Sequence, residues 1–204
     1  MLHESSRGRL AFARSAVILG AGPYNAGMLQ NVPVARILAL LQIASSVLFT
    51  VIVVQGFRTA AAAVPAGSHI RFSLFGLVVI LFTHTMTLFY FVGTGSRIKK
   101  VVQEYRLEPE LFRRTLRFKA RLFPWLTFTP LLTMAAFIVG GAAHTHIWPS
   151  WIHGGLAMVS LAMTLVTGFV ALQCIGENVV LINEIDAVLP EDVGECGGAS
   201  GGLS

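Results

Sequence analysis

Histidines carry most of the side-chain chemistry this chain can offer, and five of the six fall into two candidate sites. His84 lies in the middle of an apolar run, in the stretch FGLVVILFTHTMTLFYFVG. An ionisable side chain at that depth is a functional-site candidate by default. Its imidazole suits three roles: a hydrogen bond to Gln42, Ser46 or Thr164 that locks neighbouring helices, an axial bond to haem b, or a hydrogen bond to a quinone-type ligand. Met134 and Met163 come out level with His84 when residues are counted from the helix ends, so either is a candidate second haem ligand. The other group is His144, His146 and His153 in AAHTHIWPSWIHGG, with His69 in a second polar break. His-x-His sets two rings on one side of an extended segment, and imidazole is a good donor to copper or zinc. The plainer reading of the same residues is a short turn in which Pro149 opens a helix, Trp148 and Trp151 sit in an interfacial belt and the histidines face water.

What is missing restricts the chemistry further. Apart from Glu4, the first carboxylate is Glu104, and there is no other between Glu110 and Glu177. The long apolar runs therefore have no acidic proton relay, no paired-carboxylate acid/base site and no carboxylate metal cage. Cys174 and Cys196 have no ligand spacing. GAGPYNAG near the N-terminus lacks the G-x-G-x-x-G spacing of a dinucleotide loop, and no strand precedes it. No nucleophile and base pair stands out, so the sequence leans away from an enzyme.

These groups must be held by helices in lipid. Of the 204 residues 54% are hydrophobic and only 12% charged, with a mean hydropathy of +0.71, well outside the soluble globular range. Four runs, residues 34–57, 72–93, 122–143 and 151–175, are long enough to cross about 30 Å of hydrocarbon at about 1.5 Å per residue. The fifteen Lys and Arg fall as four up to Arg36, two between the first and second runs, nine from Arg97 to Arg121, and none beyond. The positive-inside rule then places both termini and the central basic segment in the cytoplasm. The basic residues flank apolar spans, where topology and anionic lipid account for them, so nucleic acid is not an expected partner.

Beyond the membrane the pattern continues. Ile98, Val101, Val102 and Tyr105 recur at helical spacing, Pro109 suits the first turn of the next helix, and Leu111, Phe112, Thr115 and Leu116 are expected on one apolar face opposite Arg113, Arg114, Arg117 and Arg121. Val179, Ile182, Ile185 and Leu189 form a stripe among Glu177, Glu184 and Asp186, which predicts that this acidic extension packs against the basic hairpin. Counting fourteen residues from Ile98 to His84, a near-integral number of helical turns, points His84 into the bundle.

The expected protein is thus an all-α integral membrane protein, a four-transmembrane-helix bundle with N-in/C-in topology, in which helices 2, 3 and 4 extend into the cytoplasm. Residues 1–32 form a loose or interfacial segment, 33–189 the bundle with a cytoplasmic hairpin at about 96–121, and 190–204 a flexible tail. The expected role is an accessory or structural subunit of a membrane complex, in contact with the bilayer and with other membrane subunits or copies of itself, in a bacterial inner membrane. The alternative is a redox or metal-binding membrane protein, with haem b at His84 or copper or zinc on the outer-face histidines.

Overall fold

A computed structural model describes residues 32–189, all of it helix and short turns. The expected N-terminal segment and C-terminal tail lie outside these residues, save Val32 at the start of the first helix. Four helices follow in order: α1 Val32–Ala60, α2 Ala66–Glu104, α3 Pro109–His144 and α4 Ser150–Asp186. Each is long and apolar enough to cross a membrane. Each packs against its two neighbours in a ring, α1 on α2, α2 on α3, α3 on α4 and α4 on α1. Short turns make those neighbours antiparallel, so α2 faces α4 and α1 faces α3 across the centre.

Local sequence sets the helix ends. Prolines hold extended backbone immediately before α2 and α4, at Pro65 and Pro149, and Pro109 opens α3. A proline there gives up an amide hydrogen that the first turn leaves unbonded anyway. Three residues turn the chain with positive φ: Ala62, Arg106 and His146.

Helices α2, α3 and α4, at 39, 36 and 37 residues, run about 55 Å each at about 1.5 Å per residue. Two ends of the bundle can be told apart by their side chains. The histidine end carries the α1–α2 and α3–α4 turns; the basic end carries the α2–α3 turn. The basic end has its own apolar core, where Ile98, Val101, Leu122, Leu181 and Ile185 are fully buried. The acidic part of α4 does pack on the basic hairpin: Arg114 pairs with Glu184, and Arg121 reaches Glu177 at 3.5 Å and also Gln173. Within α3, Arg117 bonds Glu110 at 2.7 Å.

One expected face is corrected. Leu116 is exposed, while Thr115, Phe118, Leu122, Leu126, Thr129, Thr133 and Ala136 are buried. Those seven recur every three or four residues, and Leu116 is turned about 100° from Thr115, out of that stripe.

The distribution of polarity is the reverse of a soluble bundle. Ile37, Leu40, Val47, Phe57, Phe82, Phe89, Phe128, Ile138 and Phe169 are all exposed on the outside, whereas Gln42, Ser45, Thr83, His84, Thr87, Thr129, Ser160, Thr164 and Thr167 are buried within. Most of the buried hydroxyls bond the carbonyl one turn back in their own helix, as Thr83 does to Val79, Thr87 to Thr83 and Thr164 to Ser160. Such back-bonding satisfies the hydroxyl hydrogen without a partner on another helix.

Candidate functional site

His84 points into the bundle, as its phase with Ile98 predicts, and is 1% exposed. Its Nδ1 lies 2.8 Å from the carbonyl oxygen of Ile80. A carbonyl only accepts, so Nδ1 carries the proton and donates, which leaves a lone pair on Nε2 of the neutral ring. That Nε2 is buried and has no partner. The expected bonds from His84 to Gln42, Ser46 or Thr164 are therefore replaced by one within its own helix. Ser45 and Ser46 both donate to the carbonyl of Gln42 instead.

Gln42 is nevertheless the neighbour in depth. The ring of His69 on α2 lies against Gly56 on α1, and from that contact His84 is fifteen residues along α2 and Gln42 fourteen back along α1. At about 1.5 Å per residue the two differ in depth by about 1.5 Å. Gln42 is fully buried, and neither its Oε1 nor its Nε2 has a partner. On α4 the same level is reached at Gly168, where a Cβ would stand 3.0 Å from Ser46 Oγ and 3.6 Å from Gln42 Nε2. The missing side chain is what admits the Gln42 amide. Next to it, Thr167 and Thr129 join α4 to α3 through a 2.6 Å hydroxyl–hydroxyl bond. One layer thus contains two orphaned groups on adjacent helices, an amide and an imidazole nitrogen, enclosed by small side chains.

The methionines expected at this level lie elsewhere. Met163 is five residues from Gly168 and Met134 five from Thr129, in both cases about 7 Å nearer the histidine end. Met134 is 41% exposed on the outside of the bundle. Counting from the edges of the apolar runs misplaced them because those edges are not level. On α2, Ser68, His69 and Arg71 delay the run to Phe72, whereas His69 itself stands beside His153, only two residues into the run of α4.

At the histidine end the four candidate metal ligands separate into two pairs. His144, the last residue of α3, and His146, in the turn that follows, are both exposed. His69 and His153 are partly buried, with ring centres 6.4 Å apart and planes at 60°. His153 Nδ1 donates to the Ala136 carbonyl at 3.1 Å, and His69 Nδ1 lies 3.4 Å from Ser73 Oγ. Among the described residues no group of three or more His, Cys, Asp or Glu could hold a metal ion. From His153 to Gly168, at the level of His84, is about 22 Å of helix, so no single iron joins His84 to His153.

A third polar contact lies outside both histidine groups. Asn178 Nδ2 donates to Tyr90 Oη at 3.0 Å, both side chains being buried, and Asn178 Oδ1 has no partner. Asn178 belongs to the stripe Ala171, Cys174, Asn178, Leu181 and Ile185 that α4 buries, so its helical phase was the available signal. Two shallow clefts open on the surface, one lined by Val51, Gln55, Arg58 and Phe72, the other by Arg114, Arg117, Phe118 and Glu177. Neither is lined by His84. Comparison with known proteins finds no match: no family model, no curated protein and no solved structure is similar to the chain.

Proposed function

We propose that the chain is a four-span integral membrane protein, its basic end and both termini cytoplasmic in a bacterial inner membrane, which serves as an accessory or structural subunit of a larger membrane complex. The observation that carries this reading is the reversed polarity of the bundle. Large apolar side chains cover its outside, and its interior mixes apolar residues such as Ile80 and Phe91 with buried hydroxyl, amide and imidazole groups. Burying Gln42 and His84 while exposing Phe82, Phe89 and Phe169 is unfavourable in water and favourable in lipid. At the middle level the interior is closed, with Gln42, Thr83, Thr87, Thr129, Thr164 and Thr167 each at 0% exposure, a better fit to holding helices together than to passing a substrate. Its apolar flanks and the ion-paired basic end are the surfaces left for lipid and for partner subunits.

A second reading, a b-type haem protein, is favoured by the tautomer of His84. A ring whose Nδ1–H is held by a backbone carbonyl and whose Nε2 keeps its lone pair is the arrangement that ligating histidines use. One preparation separates the two. Extraction in a mild detergent followed by an optical spectrum and identification of co-purifying membrane proteins should give an absorbance-silent protein that travels with larger membrane subunits in fixed proportion. A Soret band lost in His84→Ala, with no fixed partner, would replace the accessory role with a cytochrome.

A further inference from the structure

The two hairpins of this bundle repeat one another at the histidine end. At a constant offset of 84 residues, Ala62 (φ 57°) matches His146 (φ 61°), and Pro65 matches Pro149 as the extended residue before a helix. The turn hydrogen bonds match as well: Ala62 N–H to Thr59 with His146 N–H to Ala143, Ala63 N–H to Arg58 with Ile147 N–H to Ala142, and Ser68 N–H to Pro65 with Ile152 N–H to Pro149. The α1–α2 and α3–α4 hairpins are therefore related by a pseudo-twofold axis along the bundle, the arrangement of parallel repeats in membrane proteins. Across residues 56–69 and 140–153 the aligned sequences share only three residues: Gly56 with Gly140, Pro65 with Pro149, and His69 with His153.

Those three belong to one construction. The proline starts the helix, the histidine sits four residues later, and the glycine on the preceding helix makes room for its ring. A Cβ on Gly56 would stand 3.1 Å from His69 Cε1, and one on Gly140 would stand 2.7 Å from His153 Cε1. Because α2 and α4 face each other across the bundle, the two rings meet near its axis.

We propose that His69 and His153 form a two-imidazole site on this axis that binds one monovalent copper ion. His153 is held with its Nδ1–H on the Ala136 carbonyl, so its Nε2 presents the lone pair. Neutral nitrogen donors with no carboxylate on the described residues of either turn disfavour calcium and magnesium. Spacing selects among the rest. With metal–nitrogen bonds of about 2.0 Å, ring centres lie about 6.3 Å apart in near-linear coordination and about 5 Å apart at a tetrahedral angle. The observed 6.4 Å between ring centres is the separation near-linear coordination needs once both Nε2 atoms turn toward the metal, and copper(I) accepts two ligands where zinc needs four. His144 and His146 take no part.

The test is competition for copper(I) between the full-length protein in detergent and a chromogenic chelator such as bicinchoninate, under reducing conditions. One equivalent per chain should be withdrawn by the native protein and by a His144→Ala/His146→Ala variant. His69→Ala and His153→Ala should each weaken binding by more than about tenfold, the least that losing even an outer partner of a ligand costs. His69→Ala is the decisive variant, since it removes no side-chain bond to the backbone, and circular dichroism would verify that it is folded. X-ray absorption at the copper edge should give two nitrogen neighbours. Failure to withdraw copper, unchanged binding in folded His69→Ala, loss in the His144/His146 variant, or four-coordinate copper would each overturn the site. An accessory subunit need not carry copper, so a negative result here leaves the co-purification and haem tests to decide the role.

Discussion

Replacing Gln42 with methionine tests whether the middle layer is as empty of partners as it looks. The amide is fully buried with both polar atoms unbonded, and an unsatisfied buried polar group costs about 1–3 kcal/mol. Methionine keeps the unbranched Cβ–Cγ stem that lies near Gly168 and replaces the amide with a flexible thioether of similar bulk. In a bilayer the gain shrinks, because the unfolded chain also finds partners for its polar groups, and measured interhelical bonds there average about 0.6 kcal/mol. Gln42→Met is therefore expected to stabilise the bundle by about 0.5–2 kcal/mol. The assay is reversible unfolding in mixed micelles of increasing denaturing-detergent fraction, followed by circular dichroism and compared at equal slope. A loss of more than about 1 kcal/mol would refute the reasoning, since a bonded amide whose partner is left stranded is what costs that much. The natural partner would then be His84 Nε2 or a ligand held between the two.

The basic end should be held by apolar burial far more than by its ion pairs. Leu181→Ala, at a fully buried position, should lower stability by about 2–5 kcal/mol. Arg114→Ala, which removes a partly exposed pair with Glu184, should cost less than about 1 kcal/mol, a difference that fades in high salt. Equal losses in the same micellar unfolding assay would contradict that division. Gly168→Leu should cost about 1–3 kcal/mol by overpacking, because Ser46 and Gln42 already stand where the new side chain must go. The same change combined with Gln42→Ala should recover part of the loss, and strict additivity would count against the contact.

Most of the architecture was legible because it depends on length and on period. Four apolar runs, proline positions and the repeat of Ile98, Val101 and Val102 gave four helices, the extension of three of them, and the inward face of His84. Lateral and axial placement was harder. Leu116 and Thr115 differ by one residue and both suit an apolar face, and only the neighbouring helix decides which is covered. Apolar runs do not give the level of His84 on α3 and α4, because they end where polar residues happen to interrupt them, not at a fixed depth. Asn178 was hidden by being polar inside an otherwise apolar stripe. The sequence groups His69 with His144, His146 and His153, but that His153 alone lies beside it depends on facing helices and is seen only in the structure.

The orientation of the bundle is the claim on which the proposed role most depends, and substituted-cysteine labelling tests it directly. In a background with Cys174 and Cys196 replaced by serine, single cysteines at Ala62, His146 and Glu108 would be exposed to a membrane-impermeant maleimide on intact cells. Charge asymmetry predicts labelling at Ala62 and His146 from outside, and at Glu108 only after the membrane is opened. Labelling of Glu108→Cys in intact cells, with Ala62→Cys and His146→Cys protected, would contradict it.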